Sequence, residues 1–247
     1  MSSKEFSITK MFGIELEFFT LNKKGDIVNK ADQILDSLKS KLTKSNLTNE
    51  SGQHMIEIMS NPHRSSKQTF MNLLDDMSTL LYETDNNDLK LLGLGTYLGK
   101  HSGKTRSEVR YQTNEKIRGE GMKIANSCIG FHYHFSLPRA TFDRKTHFFR
   151  HDINDIRKKK VQNLFNLFIA LDPAVSTFMQ SSPYYEGNYL GKSSRMIVYR
   201  SESIFKRPEK LFADYPEFSS LNDYAPSFDK ILSRVVDRSK LWKQLLE

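Results

Sequence analysis

The sequence predicts an α+β fold in one domain. Strands whose alternate side chains are apolar recur between stretches with apolar residues at helical spacing, and neither internal repeats nor low-complexity linkers interrupt the 247 residues. The length allows one large domain or two small ones, and one is the simpler reading over 1–247. Hydrophobic residues make up 38% of the chain, and seventeen Phe and ten Tyr point to an aromatic-rich core.

The first strand carries the strongest signal. Successive strand residues face opposite ways. In Gly13–Phe19 (GIELEFF), Ile14, Leu16 and Phe18 can therefore face a core while Glu15 and Glu17 share the other face. Their Cα atoms would lie roughly 6.5–7 Å apart, a spacing that lets two carboxylates hold neighbouring hard cations. An ordinary surface strand shows the same alternation, but here it recurs. HMIEIMSNP opposes Glu57 to Ile56 and Ile58, with Glu50 seven residues earlier. GFHYHFSLP opposes His132 and His134 to Phe131, Tyr133 and Phe135. Oxygen donors with one imidazole suit Mg²⁺ or Mn²⁺ better than zinc. A packed, hydrogen-bonded His pair is the simpler role for the last motif taken alone.

Between these strands, strand one is expected at about 11–21, a hairpin turn at Gly25-Asp26 and a helix at about 30–42. A strand follows at 54–60 and a helix at about 65–85, whose stripe of Phe70, Leu73, Leu74, Met77, Leu80 and Leu81 is read as core. A short strand is expected at 90–95 and a mobile loop at 99–109. A helix at about 112–124 leads to the His strand at 128–137. A helix at 153–180 should break near Pro173. Pro208, Pro216 and Pro226 punctuate the tail before a last helix from about 227.

Taken together, GIELEFF, the E–x6–E spacing of Glu50 and Glu57, and GFHYHFSLP resemble the glutamate–cysteine ligase and carboxylate–amine ligase family, including its YbdK-type members. The block SSPYYEGNYLGKSSRMIVYR (Ser181–Arg200) resembles the family's Ser-Pro-aromatic segment ending in Ser-x-Arg. GLGTYLG resembles its Gly-Thr-His-Pro turn, with Tyr97 and Leu98 in place of His-Pro. The blocks keep the family's order over about residues 10–205. The resemblance implies a glutamine synthetase-like fold, an antiparallel sheet cupping the active site. It also implies ATP-dependent phosphorylation of the glutamate γ-carboxylate, followed by attack of an amine such as that of cysteine to give a γ-glutamyl amide. Position by position, Glu15, Glu17, Glu50, Glu57 and His132 match the metal-site residues, holding Mg²⁺ (or Mn²⁺). Arg195 matches an arginine near the transferred phosphate or a substrate carboxylate, serving both catalysis and nucleotide binding. A planar guanidinium can bind two oxygens at once. The last third expected of the family, with further strands and a Glu-x-Arg segment, has no counterpart here. The expectation is therefore a domain C-terminally short relative to the family and a weakened active site.

Composition frames the alternatives. One cysteine, Cys128, precludes an internal disulfide and suggests a reducing, cytoplasmic setting; it is read as a small core residue rather than a nucleophile. The N-terminus lacks an apolar signal region, and LFNLFIALDPAVSTFM is interrupted by Asn166, Asp172 and Pro173, so no membrane partner is expected. The net charge of +8, with clusters at Arg157–Lys160, Lys23-Lys24 and 39–44, raises nucleic acid. Aromatic residues do not interleave with that charge as in a base-stacking platform, so small anionic substrates fit better. A non-catalytic nucleotide- or partner-binding relative and a metal-dependent hydrolase are the other readings. The amine substrate and the oligomeric state are not legible.

Overall fold

The computed structural model describes residues 11–38, 40–101, 103–118, 121–138, 140–143, 145–146, 148–191, 193–195, 198 and 225–246. Its centre is a five-stranded antiparallel sheet. Strand β1 (Phe12–Leu21) pairs along one side with β3 (Met55–Ser60), which in turn pairs with β2 (Ser45–Asn49). Along its other side β1 pairs with β4 (Lys90–Leu92) at one end and with β5 (Phe131–Phe135) at the other. The long first strand is thus the spine on which three other strands take their register.

One face of this sheet is closed by α1 (Ala31–Leu38) and α2 (Ser66–Asn86). Ile14 of β1 and Ile56 and Ile58 of β3 meet Ile34 and Leu38 of α1 and Leu73 and Leu80 of α2 in one buried cluster, with Leu16 and Phe18 packed against it. That is the apolar parity expected of both strands. Ser65 caps α2, its Oγ accepting from the Gln68 amide at 3.3 Å. Half of the expected α2 stripe departs from the prediction: Leu73 and Leu80 are fully buried, whereas Phe70, Leu74 and Leu81 are exposed. The six residues span more arc than the sheet and α1 cover, so only the line through 73, 77 and 80 reaches the core. Leu80→Ala should therefore cost about 2–5 kcal/mol in urea denaturation, and Leu81→Ala less than about 1.

Further departures have local causes. Strand β2 (SNLTN) was not expected; it is polar and lies at the sheet edge, where one neighbour suffices to hold it. The first helix ends at Leu38. The segment expected as one helix at 112–124 holds α3 (Val109–Arg118) and α4 (Gly121–Ala125), and residues 119 and 120 between them lie outside the described residues. Helix α5 (Asp155–Phe178) runs through Pro173 without the expected break. Its residues on either side, Leu171 and Val175, are exposed, so water can take up the carbonyl that the proline leaves unpaired. The last helix, α6 (Phe228–Leu246), starts where expected and packs on α5 through Phe228, Val161 and Ile153. Pro208 and Pro216 lie outside the described residues.

The segment read as a mobile loop is pinned in its described part. The Gln53 amide donates to Lys104 O at 2.8 Å, the Arg106 amide to Ser51 O at 2.9 Å, and the Lys104 amide to Asn29 Oδ1 at 3.1 Å. Gly103 permits this close approach, since a Cβ there would lie 2.1 Å from Cε1 of the buried His54 ring. On β5, Phe131, Tyr133 and Phe135 are about two-fifths exposed rather than buried, because β5 lies at the sheet edge; Phe12 and Phe168 pack against Phe135. Part of the positive charge is also matched: Lys41 pairs with Glu83, Lys44 with Asp75 and Lys23 with Asp88. Among the described residues no helix is long and apolar enough to cross a membrane.

Candidate metal and substrate site

The second face of the sheet gathers the acidic and imidazole side chains, and strand register explains how. Glu17 of β1 lies directly opposite Glu57 of β3, and Glu15 lies directly opposite His132 of β5. Cross-strand partners hold their Cβ atoms about 4.5–5.5 Å apart. Four residues on three strands thus meet on one face, and the three glutamates have apolar neighbours turned into the helix-covered core. His134, opposite Gly13, completes the diagonal. Glu50 follows the last residue of β2 and enters from the β2–β3 turn.

The contacts divide into two overlapping groups. Glu15 Oε2 lies 2.8 Å from His134 Nε2 and 3.2 Å from His132 Nδ1. His132 Nδ1 also lies 3.7 Å from Glu17 Oε1 and 4.0 Å from Glu57 Oε1. In each of the sets Glu15–His132–His134 and Glu17–Glu57–His132, one donor atom per residue falls within 4.8 Å of the others. Glu17 Oε2 accepts a hydrogen bond from the Gly130 amide at 2.7 Å, which fixes its carboxyl group at the mouth of β5.

Electrostatics shows how crowded these carboxylates are. Glu57 is only 6% exposed. Burial, then the neighbouring Glu15, Glu50 and Glu17, push its pKa up to about 8. Glu50 is also raised, by burial first and by Glu17 second, with Arg110 and His132 partly offsetting this. Burial raises Glu15 too, but hydrogen bonds from His134 and His132 outweigh it and leave its pKa lowered. Oxygen-rich donors that repel one another when ionised, with imidazoles alongside, match the ligand chemistry of Mg²⁺ or Mn²⁺.

A basic rim adjoins Glu50. Arg110, in the first turn of α3, donates through Nη2 to Asn49 Oδ1 at 2.9 Å and to the Tyr111 hydroxyl, and its guanidinium carbon lies 4.3 Å from the Tyr111 ring centroid. The Tyr111 hydroxyl donates to Asn49 O at 2.9 Å. Burial, then the charge of Glu50, push the Tyr111 phenol up to about 12. Sequence reasoning did not single out Arg106, Arg110 or Tyr111, and left His134 outside the ligand set. The alternation of β5 was the available signal for His134. None existed for the other three, whose place beside Glu50 depends on how the segment after Gly99 folds back.

Arg195 arrives from another element. The short hairpin β6 (Tyr184–Tyr185) and β7 (Asn188–Tyr189) turns through Glu186 and Gly187, at φ 49° and 81°. It docks on the Gly93–Gly99 turn: Thr96 Oγ1 donates to Tyr184 O at 2.9 Å, and the Gly187 amide to Leu98 O at 2.7 Å. Ser182 Oγ accepts from the Thr96 amide at 2.9 Å, and a Cβ on Gly95 would lie 3.0 Å from that Oγ and 3.5 Å from Arg195 Cδ. Gly95 O in turn accepts from the Ile129 amide, next to Gly130. The fold therefore joins two motifs 86 residues apart in sequence and brings Arg195 to the turn that borders β5. Tyr97, where the resembling family carries His, is buried against Phe19 and donates to Gly25 O at 2.9 Å. Cys128 is buried, as expected of a core residue.

The sequence family described as Glutamate-cysteine ligase family 2 matches residues 11–234. No individual curated protein matches in sequence. Among solved structures, the bifunctional glutathione synthetase from Pasteurella multocida superposes with a TM-score of 0.57 at 15% identity, over 94% of this chain and 30% of that one. Glutamate–cysteine ligase from Francisella tularensis, solved in complex with AMP, matches 66% of this chain and 34% of that one, with a TM-score of 0.42 and 20% identity. The chain thus spans about a third of the length of these solved structures. At such identity the first of them speaks for the fold alone, a mixed helical and antiparallel-sheet architecture, while the family match covers nearly the whole sequence. The chain belongs to glutamate-cysteine ligase family 2.

Proposed function

We propose that this chain acts as an ATP- and Mg²⁺-dependent carboxylate–amine ligase that forms a γ-glutamyl amide. The observation that carries this is the convergence of Glu15, Glu17, Glu57, His132 and His134 on one sheet face, with the charge of Glu50 felt from the adjoining turn, in a member of this family. The sheet would act as one wall of a cup within a single catalytic-type domain. Glu17, Glu57 and His132, with Glu50 beside them, would hold one divalent ion; Glu15 and His134 would hold a second. The ions would neutralise phosphate charge and orient the reacting oxygens.

The reaction runs in two displacements. A γ-carboxylate oxygen of glutamate attacks the terminal phosphorus of ATP, and ADP leaves. The nitrogen of an amine such as cysteine then attacks the acyl carbon, loses a proton and expels inorganic phosphate. Arg195, and Arg110 at the opposite rim, would supply guanidinium contacts to the anionic groups that change hands. An ATP-supplied, reducing cytoplasmic compartment suits this chemistry. Small anionic substrates also account for the basic balance of the chain better than nucleic acid does.

The direct test is ADP release by the 247-residue chain with Mg-ATP and glutamate across a panel of amines including cysteine. Amine-dependent release is the expected result, and it identifies the second substrate. Nucleotide binding without release would favour a binding-only relative. Glutamate-independent phosphate release would favour a hydrolase.

A further inference from the structure

Glu50 is unlike the other acidic residues of the site, because no strand fixes it. It stands in the turn between β2 and β3, where a carboxylate would ordinarily be free to swing. The structure supplies a clamp from a distant segment. Arg106, 4% exposed, donates through Nε to the main-chain carbonyl of Glu50 at 2.8 Å, and its own amide donates to the carbonyl of Ser51 at 2.9 Å. Its Nη1 pairs with Asp32 at the start of α1. The same segment makes a β-bridge from Thr105 to Gly52, and Asn126 ties Thr105 Oγ1 to Ser51 Oγ at 3.0 and 2.6 Å. A buried guanidinium is costly to desolvate, and its Nη2 has no hydrogen-bond partner among the described residues. The nearest benefit is the shape of this turn. The hydrogen bonds of Arg106 to this turn go to the main-chain carbonyls of Glu50 and Ser51, so Arg106 acts through the backbone it holds.

We propose that Arg106 is a positioning residue that holds Glu50 in place to complete a divalent-cation site. The proposal rests on the reading of Glu50 as a cation ligand. Lysine at this position keeps the charge but cannot reach the Glu50 carbonyl and Asp32 together. Groups that orient a ligand typically change metal affinity about 10–100-fold.

Mn²⁺ binding to the full chain, read from the EPR signal of the free ion at a temperature where circular dichroism shows each variant folded, tests this. Glu50→Gln and Arg106→Lys should each weaken binding, the second by about 10-fold or more. Arg106→Lys in the Glu50→Gln background should add nothing, because the residue it positions is gone. Should Arg106→Lys weaken binding equally in both backgrounds, or not at all in the parent chain, the positioning role is overturned. If Glu50→Gln itself binds Mn²⁺ like the parent, the ligand assignment of Glu50 falls and the proposal falls with it. Should Arg106→Lys not fold, Asp32→Asn releases the guanidinium from its exposed end. It should weaken Mn²⁺ binding in the parent but not in the Glu50→Gln background, and unchanged binding in the parent overturns the proposal.

Discussion

Glu17→Ala will abolish metal-dependent nucleotide turnover while leaving the fold in place. Glu17 stands at the centre of the cluster, opposite Glu57 and 3.7 Å from His132 Nδ1, with its second oxygen fixed by the Gly130 amide. Alanine removes a cation ligand and the carboxylate that joins β1 to the mouth of β5. Loss of a preorganised charge-stabilising group costs about 10²–10³-fold, and loss of the ion it holds costs more, so a drop of about 10³-fold or greater is expected. Stability should move little. The variant forfeits one charge-assisted hydrogen bond, worth about 1.5–3 kcal/mol, but it also removes one of the charges that raise Glu50 and Glu57. The checks are ADP release at saturating Mg²⁺, Mn²⁺ binding and thermal melting on the same preparation. Normal turnover in this variant would sink the metal assignment. A melting temperature lowered by tens of degrees would show that Glu17 serves the fold instead.

The parts of this site legible in sequence are those fixed by strand parity. Ile14 and Leu16 against Glu15 and Glu17, and Ile56 and Ile58 against Glu57, follow from alternation alone, and the structure places each on the expected side. Parity does not say which strands are neighbours. The facing of Glu17 and Glu57 depends on an antiparallel register that only the folded sheet supplies. Strand β2 escaped because SNLTN has one apolar side chain in five, and its extended form comes from pairing with β3 rather than from propensity. The α2 stripe was overread because helical spacing identifies an apolar arc without telling how much of it a partner covers: Leu80 is buried and Leu81 is not. Arg106 lay in a Gly- and Lys-rich stretch that resembles any solvated loop. Its burial comes from Asp32, Glu50 and Ser51, all more than 50 residues away.

Cation binding should expel a proton, and Glu57 is its source. With its pKa pushed up to about 8 by burial and by three neighbouring carboxylates, Glu57 is about nine-tenths protonated at pH 7 in the ion-free protein. A divalent ion needs the carboxylate. Between pH 7 and 8 Mn²⁺ affinity should therefore rise by about fivefold, and calorimetry in buffers of differing ionisation enthalpy should show about one proton released per ion at pH 7. The stability of the ion-free chain should move the opposite way. The folded pKa lies above the ordinary 4.5, so folding favours the protonated form, and stability is lost as pH rises from about 4.5 through about 8. The full shift corresponds to about 4–5 kcal/mol, and solvent reaching the cluster through the exposed side of His132 should reduce it to about 1–2. Glu57→Gln, neutral at every pH, should remove this slope, melt higher than the parent at pH 8 without metal, and bind Mn²⁺ poorly at either pH. A variant stabilised in the ion-free state and disabled for the ion is what a carboxylate kept for binding predicts, since the repulsion that weakens the empty site is what the cation relieves. If Glu57→Gln melts lower than the parent at pH 8 and retains Mn²⁺ affinity, Glu57 is a structural acid and the ion lies elsewhere.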